Sequence, residues 1–433
     1  MRRRTLLTGA LTAPAAALGA GCAPARRQAR GGAAVLRFQS LAWQKESVEA
    51  NKRLVAEWNA AHPGIRVDYV QGSWDSVHDQ LLTSFEGGEA PDIIHDAADD
   101  LADFAYGGYL ADLRGLLPDR LKDAIPAHTW ATTTFGGDGD GGDGGGVYGV
   151  PFLQEPRVII ANRTLLERAR VRIPSVRAPW SWAEFEDAAR ALTRGGTYGV
   201  AWPLKDPVAA TLGLALSTGG RVFHRGADGK VTVRFHAADR RVPRAIARTA
   251  AKSTLGMGGS DTLPGFFGGK YAMVPLGFSY RQQIVQQAPE GFAWTVLPAP
   301  AGPGGDQRQG VSPQTLSIAQ DSPYKREAAR FLDFFLRPRN MVRLARGDWM
   351  LPTGTGALRD RALHTAEHGW ATGTALAAQL RPAPTLSVRG YPEWKDKVAT
   401  PAFQEYYSGA IGMDGLRERL IEDGGLVLAR YQR

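Results

Sequence analysis

Strand and helix patterns alternate over the first part of this chain. Residues 34–40, "AVLRFQS", have the composition of a strand, and residues 46–61 place their apolar side chains mostly on one face of a helix. The segment "IRVDYV" at 65–70 alternates apolar and polar residues, and a further helix leads to the apolar "DIIH" at 92–95. Such strand–helix–strand units constrain the chain to an α/β fold with helices packed on a parallel sheet.

The turns that follow these strands carry aromatic and polar side chains. Trp43 and Gln44 follow the first strand, Trp74 and Asp75 the second, and Asp96 the third. Ligands of open α/β sheets bind beyond the carboxyl ends of the strands. We therefore expect these five side chains to gather at one edge of the sheet and to contact a ligand.

The N-terminus has the layout of a bacterial export signal that ends in the only cysteine of the chain. Residues 1–21 combine three arginines, an apolar segment and small residues, and the arginine pair resembles the twin-arginine pattern. Residues 22–33 read as a flexible tether. The setting resembles a lipoprotein signal, which implies lipidation of Cys22 and anchoring at the outer face of the cell membrane. Because Leu18 stands four residues before Cys22 rather than three, a secretory signal with an incidental cysteine stays open.

Composition bounds the remaining possibilities. With 433 residues, 43% of them hydrophobic, the chain can bury a large core and should form at least two domains. The formal net charge of +9 becomes +6 without the three arginines of residues 1–21. There is no long basic cluster, which argues against nucleic acid. One cysteine excludes an intramolecular disulfide and a multi-cysteine metal site.

Seven segments, in this order and spacing, resemble the extracellular solute-binding proteins of carbohydrate ABC importers, the group that includes maltose-binding protein. The resemblance runs from about residue 34 to the C-terminus. Its segments are "EWNAAHPGIRVDYV", "GEAPDIIHDAADDLADFAYGGYLADL", "YGVPFLQEPRVIIANRTLL", "PWSWAEFEDAARALT", "GKYAMVPLGF", "TVLPAPAGP" and "REAARFLDFFL".

The resemblance implies a two-lobed periplasmic-binding-protein fold of the class II type. Each lobe would hold a mostly parallel sheet flanked by helices, with crossings near 154–157, 296–300 and 336–340. The N-terminal lobe is expected to comprise 34–154 and 298–338, and the C-terminal lobe 155–297 and 339–433. The resemblance further implies a monomer without cofactor, which delivers its ligand to the membrane subunits of an ABC permease.

A sugar site needs aromatic rings against the apolar faces of the sugar and strong hydrogen-bonding groups for its hydroxyls. At the first crossing, the maltose-binding type uses a Glu on its sugar, which implies a ligand contact for Glu155; a salt bridge with Arg157 is the alternative. Further candidates follow strands or lie near crossings: Trp202, Phe278, Tyr280, Trp349, Arg389 and Tyr391. Packing between the lobes is the alternative for Trp202, Phe278 and Tyr280.

The chemical class of the ligand stays open within this group. Relatives with this pattern also bind polyols, glycerophosphodiesters and other polar solutes. Arg157 and Arg281, both expected near the cleft, leave room for an acidic sugar or a phosphoryl group.

The tract "GGDGDGGDGGG" at 136–146 invites a calcium interpretation because Asp138, Asp140 and Asp143 could supply oxygen ligands. The spacing does not match an EF-hand loop, since no Glu closes it. We interpret the tract as a surface insertion and predict no metal site.

A secreted carbohydrate-active enzyme is the rival class, and a lipid-anchored scaffold on the same fold is a third. The segment "SPYK" at 322–325 fits a Ser-x-x-Lys nucleophile pattern, but its partner motifs are missing. We interpret Ser322 as a helix N-cap. The pairs Asp99–Asp100 and Glu184–Glu186 have the spacing of solvated helix faces rather than of an acid and a base. We predict a binding protein without enzymatic activity.

Overall fold

The computed structural model describes residues 33–136, 144–226, 228–386 and 388–432. Cys22, the export signal and Asp138, Asp140 and Asp143 lie outside these residues. The strands are β1 (Ala34–Ser40), β2 (Ile65–Gln71), β3 (Ile93–Ala97), β4 (Thr134–Phe135), β5 (Gly146–Val147), β6 (Val150–Gln154), β7 (Arg157–Asn162), β8 (Tyr198–Val200), β9 (Phe223–Arg225), β10 (Val231–Val233), β11 (Tyr271–Gly277), β12 (Trp294–Pro298), β13 (Gln309–Val311), β14 (Gln314–Ile318), β15 (Leu351–Pro352) and β16 (Leu380–Pro382).

Helices connect most of these strands. They are α1 (Lys45–Ala61), α2 (Val77–Glu86), α3 (Ala98–Tyr106), α4 (Asp119–Ala124), α5 (Ala127–Trp130), α6 (Arg163–Arg168), α7 (Trp182–Leu192), α8 (Val208–Ala215), α9 (Arg241–Thr249), α10 (Leu263–Phe267), α11 (Arg281–Gln287), α12 (Lys325–Phe335), α13 (Pro338–Asp348), α14 (Thr355–Leu358), α15 (Trp370–Leu376), α16 (Tyr391–Trp394), α17 (Thr400–Ser408) and α18 (Met413–Tyr431). Among the described residues, no helix is both long and apolar enough to cross a membrane.

The first lobe is built on a sheet with the strand order β15-β6-β14-β3-β1-β2. The strands β1, β2 and β3 are parallel, as the strand–helix–strand pattern predicts, and α1 connects the first two. Trp58 of α1 is 2% exposed, and its indole Nε1 donates to the carbonyl oxygen of Ile65 at the start of β2. Phe38 of β1 packs on Phe331 and Phe335 of α12, so a helix from late in the chain completes this core.

The second lobe is built on a sheet with the order β12-β7-β11-β8. Only β11 and β8 are parallel in it, while β7 is antiparallel to both of its neighbours. In the first sheet, β14 and β15 also run antiparallel to their partners. Both sheets are therefore mixed, but most strands of each run in one direction, as expected. The strands β7 and β14, which follow crossings between the lobes, run against their neighbours in the sheet.

Three stretches connect the lobes. The first two, between β6 and β7 and between β12 and β14, lie close to the predicted crossings. Residues 336–340, predicted as the third crossing, instead join α12 to α13, and Arg343 of α13 pairs with Glu57 of α1. Because β15 also pairs with β6, the sheet contacts favour a last crossing after Pro352. The lobe boundaries themselves stay a prediction.

Candidate functional site

A cavity of about 490 Å³ lies between residues of the two lobes. It falls in the size range of sites for small molecules. The first lobe contributes Asp75, and the stretch after the first crossing contributes Arg157. The second lobe supplies Trp202, Lys205, Asp206 and Tyr280. The wall thus combines aromatic rings with carboxylates and cations, the chemistry that a polar ring-shaped solute requires.

Two aromatic rings from opposite lobes come close together beside this cavity, and one of them, Tyr280, lines it. Trp43 extends from the end of β1 and is 46% exposed, which is unusual for so large an apolar side chain. Its ring lies 6.2 Å from that of Tyr280, which follows β11 and lines the cavity. Burial raises the pKa of the Tyr280 hydroxyl, which therefore stays a neutral donor and acceptor.

The loop after β2 brings Trp74 and Asp75 to the same edge of the first sheet. Trp74 is half-buried, with its ring edge-to-face on His95 of β3 at 5.7 Å. Asp75 is exposed and lines the cavity. The next residue, Ser76, adopts a φ of 54°, which is rare for a residue other than glycine and turns the chain sharply into α2.

Glu155 occupies the first crossing, where its carboxylate is half-buried. Its Oε2 accepts a hydrogen bond from the backbone N–H of Ser279 at 2.8 Å, and it makes no ion pair with Arg157 within the described chain. The backbone of Arg157 is held on both sides by Gln309, at 2.7 and 3.1 Å. In place of the alternative salt bridge with Arg157, Glu155 accepts a hydrogen bond from the second lobe. Its contact with a ligand stays a prediction.

Gln44 lies in a buried polar contact between the lobes. Its amide Nε2 is 3.4 Å from the carbonyl oxygens of both Ser279 and Asp348. Its Oε1 is buried and has no donor among the described residues. An unpaired buried acceptor is costly, so this oxygen is a group that a ligand hydroxyl or a water could satisfy.

Trp349 lies at a different cavity from the residues above. It caps the C-terminus of α13 with a φ of 55°, is 8% exposed, and donates from Nε1 to Glu46 at 3.0 Å. With Trp370 and His368 it lines a separate cavity of about 470 Å³. The structure therefore does not bring Trp349 together with Trp43 and Tyr280. The ligand contact predicted for Trp349 would lie in a different cavity from that of Tyr280.

Arg281 and Phe278 are both in the protein core. The guanidinium of Arg281 donates to three backbone carbonyl oxygens, those of Phe278, His368 and Trp349, at 2.6, 2.8 and 2.9 Å. It lies between the rings of Phe278 and Trp370, and burial lowers its pKa well below the usual value. Since these donors are occupied, Arg281 does not face an anionic ligand group. For Phe278, this buried position fits the alternative of packing rather than a ligand contact.

Two further candidates are buried, and only one of them, Trp202, lines the cavity. Trp202 is 2% exposed, and its Nε1 donates to Thr249 at 2.9 Å, so only part of the residue reaches the cavity. Asp96 is fully buried, and one of its oxygens accepts from the N–H of Ala97 while the other has no donor in the described chain. Burial, followed by the charge of Asp100, raises the pKa of Asp96 well above its ordinary value.

The last two candidates lie away from the main cavity. Arg389 stacks on Tyr106 at 4.9 Å beside a small pocket between α3 and the C-terminal helix. Tyr391 is 2% exposed and packs on Phe223 and Trp394 in the second core. Neither shares the cavity of Asp75 and Tyr280.

Three charged residues at the cavity were not predicted. Lys205, Asp206 and Asp396 line it, and Lys395 lies close by. Burial acts to lower the pKa of Lys395, but the carboxylates of Asp206 and Asp396 raise it above its ordinary value. Lys205 and Asp206 come three and four residues after Trp202, in the loop that follows β8, and this position after a strand was a usable signal for them. Asp396 carried no such signal in the sequence.

Comparisons with known proteins agree with this architecture. The GacH receptor of Streptomyces glaucescens, solved unliganded and in complex with acarbose, superposes with a TM-score of 0.76 at 21% identity, covering 92% of this chain and 99% of that one. A maltotriose binding protein of Thermus thermophilus, bound with maltotriose, gives 0.70 at 17% identity over 92% and 100%. These likenesses confirm the two-lobed α/β fold.

Sequence comparison gives the family. An "uncharacterized lipoprotein in oleD 5′ region" of Streptomyces antibioticus is 68% identical over 405 residues, which are 92% of this chain and 87% of that protein. The profile described as bacterial extracellular solute-binding protein matches residues 42–342, well over half of the chain. The chain belongs to the bacterial extracellular solute-binding proteins.

Proposed function

We propose that this protein captures a sugar or oligosaccharide between its lobes and delivers it to the membrane subunits of an ABC importer. The observation that carries the proposal is the pair Trp43 and Tyr280, whose rings come from opposite lobes and lie 6.2 Å apart beside the cavity that Tyr280 lines. Sugar rings have apolar faces that stack on such aromatic side chains. A ligand held by both lobes favours the closed state through its contacts with each.

The polar side chains of the same cavity support a hydroxyl-rich ligand. Asp75 and Asp206 offer carboxylate acceptors, while Arg157 and Lys205 offer charged donors. Both signs of charge are present, which suits a neutral solute with many hydroxyl groups. The relatives also support this class, since the solved receptors named above bind acarbose and maltotriose. A non-sugar polar solute, such as a polyol or a glycerophosphodiester, is the second candidate, favoured by Arg157.

We also propose where the protein lies in the cell and that it does not cleave its ligand. Lipidation at Cys22 would hold the protein at the outer face of the membrane, and the Streptomyces antibioticus relative is named a lipoprotein. The family consists of binding proteins, and we propose that this chain releases its ligand unchanged. Product analysis after long incubation tests this, since sustained bond cleavage by the pure protein would contradict it.

A thermal-shift screen tests the ligand class. The mature protein is melted with mono-, di- and trisaccharides, polyols and glycerophosphodiesters, and hits are measured by calorimetric titration. One-site binding at 100 times Kd should stabilise the protein by about 2.7 kcal/mol. Stabilisation by polyols or phosphodiesters alone would favour the second candidate, and no stabilisation by any of these solutes would contradict the proposal.

Trp43→Ala, with Trp58→Ala as its control, tests the site. Trp43 is exposed beside Tyr280, which lines the cavity, so the loss of Trp43 should weaken binding about tenfold while barely changing stability. Trp58 is buried in the first core, so its loss should lower the free energy of unfolding by about 3–5 kcal/mol and leave the affinity of the folded protein unchanged. Unchanged affinity in the Trp43 variant would place the site elsewhere.

A further inference from the structure

A further cavity, of about 780 Å³, is lined by residues of the second lobe and of the loop that follows β12. We call it the α9 groove. Its walls are the first turn of α7, one face of α9 and the glycine-rich loop at 301–305. None of the residues expected to bind a ligand lies in it. The groove therefore has no part in the ligand contacts proposed above.

Three arginines form a row along the α9 side of the groove. Arg241, Arg244 and Arg248 stand three and four residues apart, so they share one helix face over about 10 Å. Arg248 is neutralised by Glu186, with hydrogen bonds of 2.8 and 2.6 Å. The exposed guanidinium groups of Arg241 and Arg244 have no hydrogen bond or ion pair to any described residue.

The carboxylates near this row are already occupied. Glu184 accepts from the backbone N–H of Ser181 at 2.7 Å and from Arg172 at 3.0 Å, as part of the cap of α7. Glu186 is held by Arg248, as described. The groove consequently presents two uncompensated positive charges, which suit an acidic partner.

Trp182 adds an aromatic surface to the same groove. It is half-buried at the start of α7, and its ring packs edge-to-face on Phe185 at 6.0 Å. Its indole Nε1 is buried without an acceptor in the described chain. Tryptophan and arginine are the residues most enriched among the energetic centres of protein interfaces.

One helix separates the α9 groove from the cavity between the lobes. Ala245 of α9 lines the groove, while the adjacent Ile246 lines the inter-lobe cavity. Thr249, at the end of the same helix, accepts the hydrogen bond of Trp202 at that cavity. A partner seated in the groove would therefore contact the helix that forms part of the ligand site.

We propose that the α9 groove is the docking surface for an acidic segment of the importer's membrane subunits. This inference rests on the proposed function and adds the surface and the chemistry of the contact. Arg241 and Arg244 pair with carboxylates of that segment, and Trp182 packs beneath it. An anionic lipid surface has the same charge, and the experiment separates the two.

The test compares the double variant Arg241→Ala/Arg244→Ala with the control Arg168→Ala/Arg194→Ala. The control removes two exposed arginines of the same lobe that also lack side-chain partners among the described residues. The affinity of each double variant is measured by titration with the sugar found in the screen. Uptake of that sugar is measured in cells that lack the chromosomal gene for this protein and express the variant instead. We expect the groove variant to keep its affinity within about twofold and to lose at least about tenfold in uptake, as expected for interface arginines. The control should match the wild type in both.

The outcomes are distinct. Full uptake by the groove variant would overturn the inference while leaving the proposed function intact. Failure of the wild-type chain to restore uptake would overturn both the docking inference and the proposed transport function. Binding of unlipidated protein to vesicles of anionic phospholipid, if lost in the groove variant but not in the control, would assign the groove to the membrane surface and overturn the permease contact.

Discussion

Asp348 is a buried carboxyl group at the contact between the lobes. Burial raises its pKa from an ordinary value of 3.8 to about 6, and the charge of Glu155 adds to the rise. The folded state therefore binds this proton more tightly than the unfolded state. The stability that this group contributes is fully present below about pH 4 and is lost as the pH rises to about 6.

Asp348→Asn should remove the loss of stability that accompanies the rise in pH. Relative to the wild type, we expect the variant to be equally stable near pH 4 and more stable above pH 6, by about 2–3 kcal/mol. Denaturant unfolding of both proteins from pH 4 to pH 8 measures the difference. Two parallel stability curves over this range would show that the group does not titrate as described.

Glu155 combines a structural hydrogen bond with a predicted ligand contact. Glu155→Ala should weaken sugar binding by about 1.4–4 kcal/mol and, because it leaves the N–H of Ser279 unpaired, also lower stability by about 1–3 kcal/mol. Glu155→Gln keeps an acceptor for Ser279 and should retain most of the stability while losing the charge-assisted bond to the ligand. Calorimetry and thermal melts on both variants separate the two effects. Wild-type affinity in the Gln variant would remove Glu155 from the site.

At the scale of elements, two glycines in helices make opposite predictions. Gly373 of α15 packs so closely on the Phe278 ring that a Cβ would overlap it, whereas a Cβ on Gly425 of α18 would meet nothing within 4 Å. Gly373→Ala should therefore destabilise the protein by about 1–3 kcal/mol. Gly425→Ala should stabilise it by up to about 1 kcal/mol, because alanine favours the helix. Equal effects of the two changes in unfolding experiments would contradict the packing described.

The sequence predicts the bounds of helices and strands better than it predicts the contacts of individual side chains. The strands at 34–40 and 65–70 and the helix at 46–61 match β1, β2 and α1 to within a residue, because their periodic patterns are local. Ser322, expected as an N-cap, instead donates to Asp92 at 2.6 Å, and the helix begins at Lys325.

Arg281 shows why the rest of the site could not be predicted. Its partners include carbonyl oxygens at positions 349 and 368, far along the chain, and no local pattern reports such contacts. The predicted residues that line the cavity, Asp75, Trp202 and Tyr280, all follow strands. Phe278 and Arg281 also follow a strand but are buried in the core, so position after a strand end was a useful signal that tertiary packing can override.

For the whole molecule, the proposed membrane attachment rests on Cys22, which lies outside the described residues. Cys22→Ser should leave folding and sugar affinity unchanged but shift the protein from the membrane fraction to the soluble fraction, because the acyl chains supply the anchoring free energy. Detergent-free fractionation of cells that express each form measures this. A Cys22→Ser protein that stays in the membrane pellet would contradict lipidation as the anchor.

The order of strands in the first sheet has a consequence for biosynthesis. The sheet begins with β1 at Ala34 and is completed only by β15 at Pro352, so its edge strand is among the later parts to leave the ribosome. At roughly 5–20 residues per second, the nascent chain exposes the incomplete sheet for some tens of seconds. A truncated chain that ends before β15 should accordingly be held by chaperones or degraded rather than accumulate as a folded half.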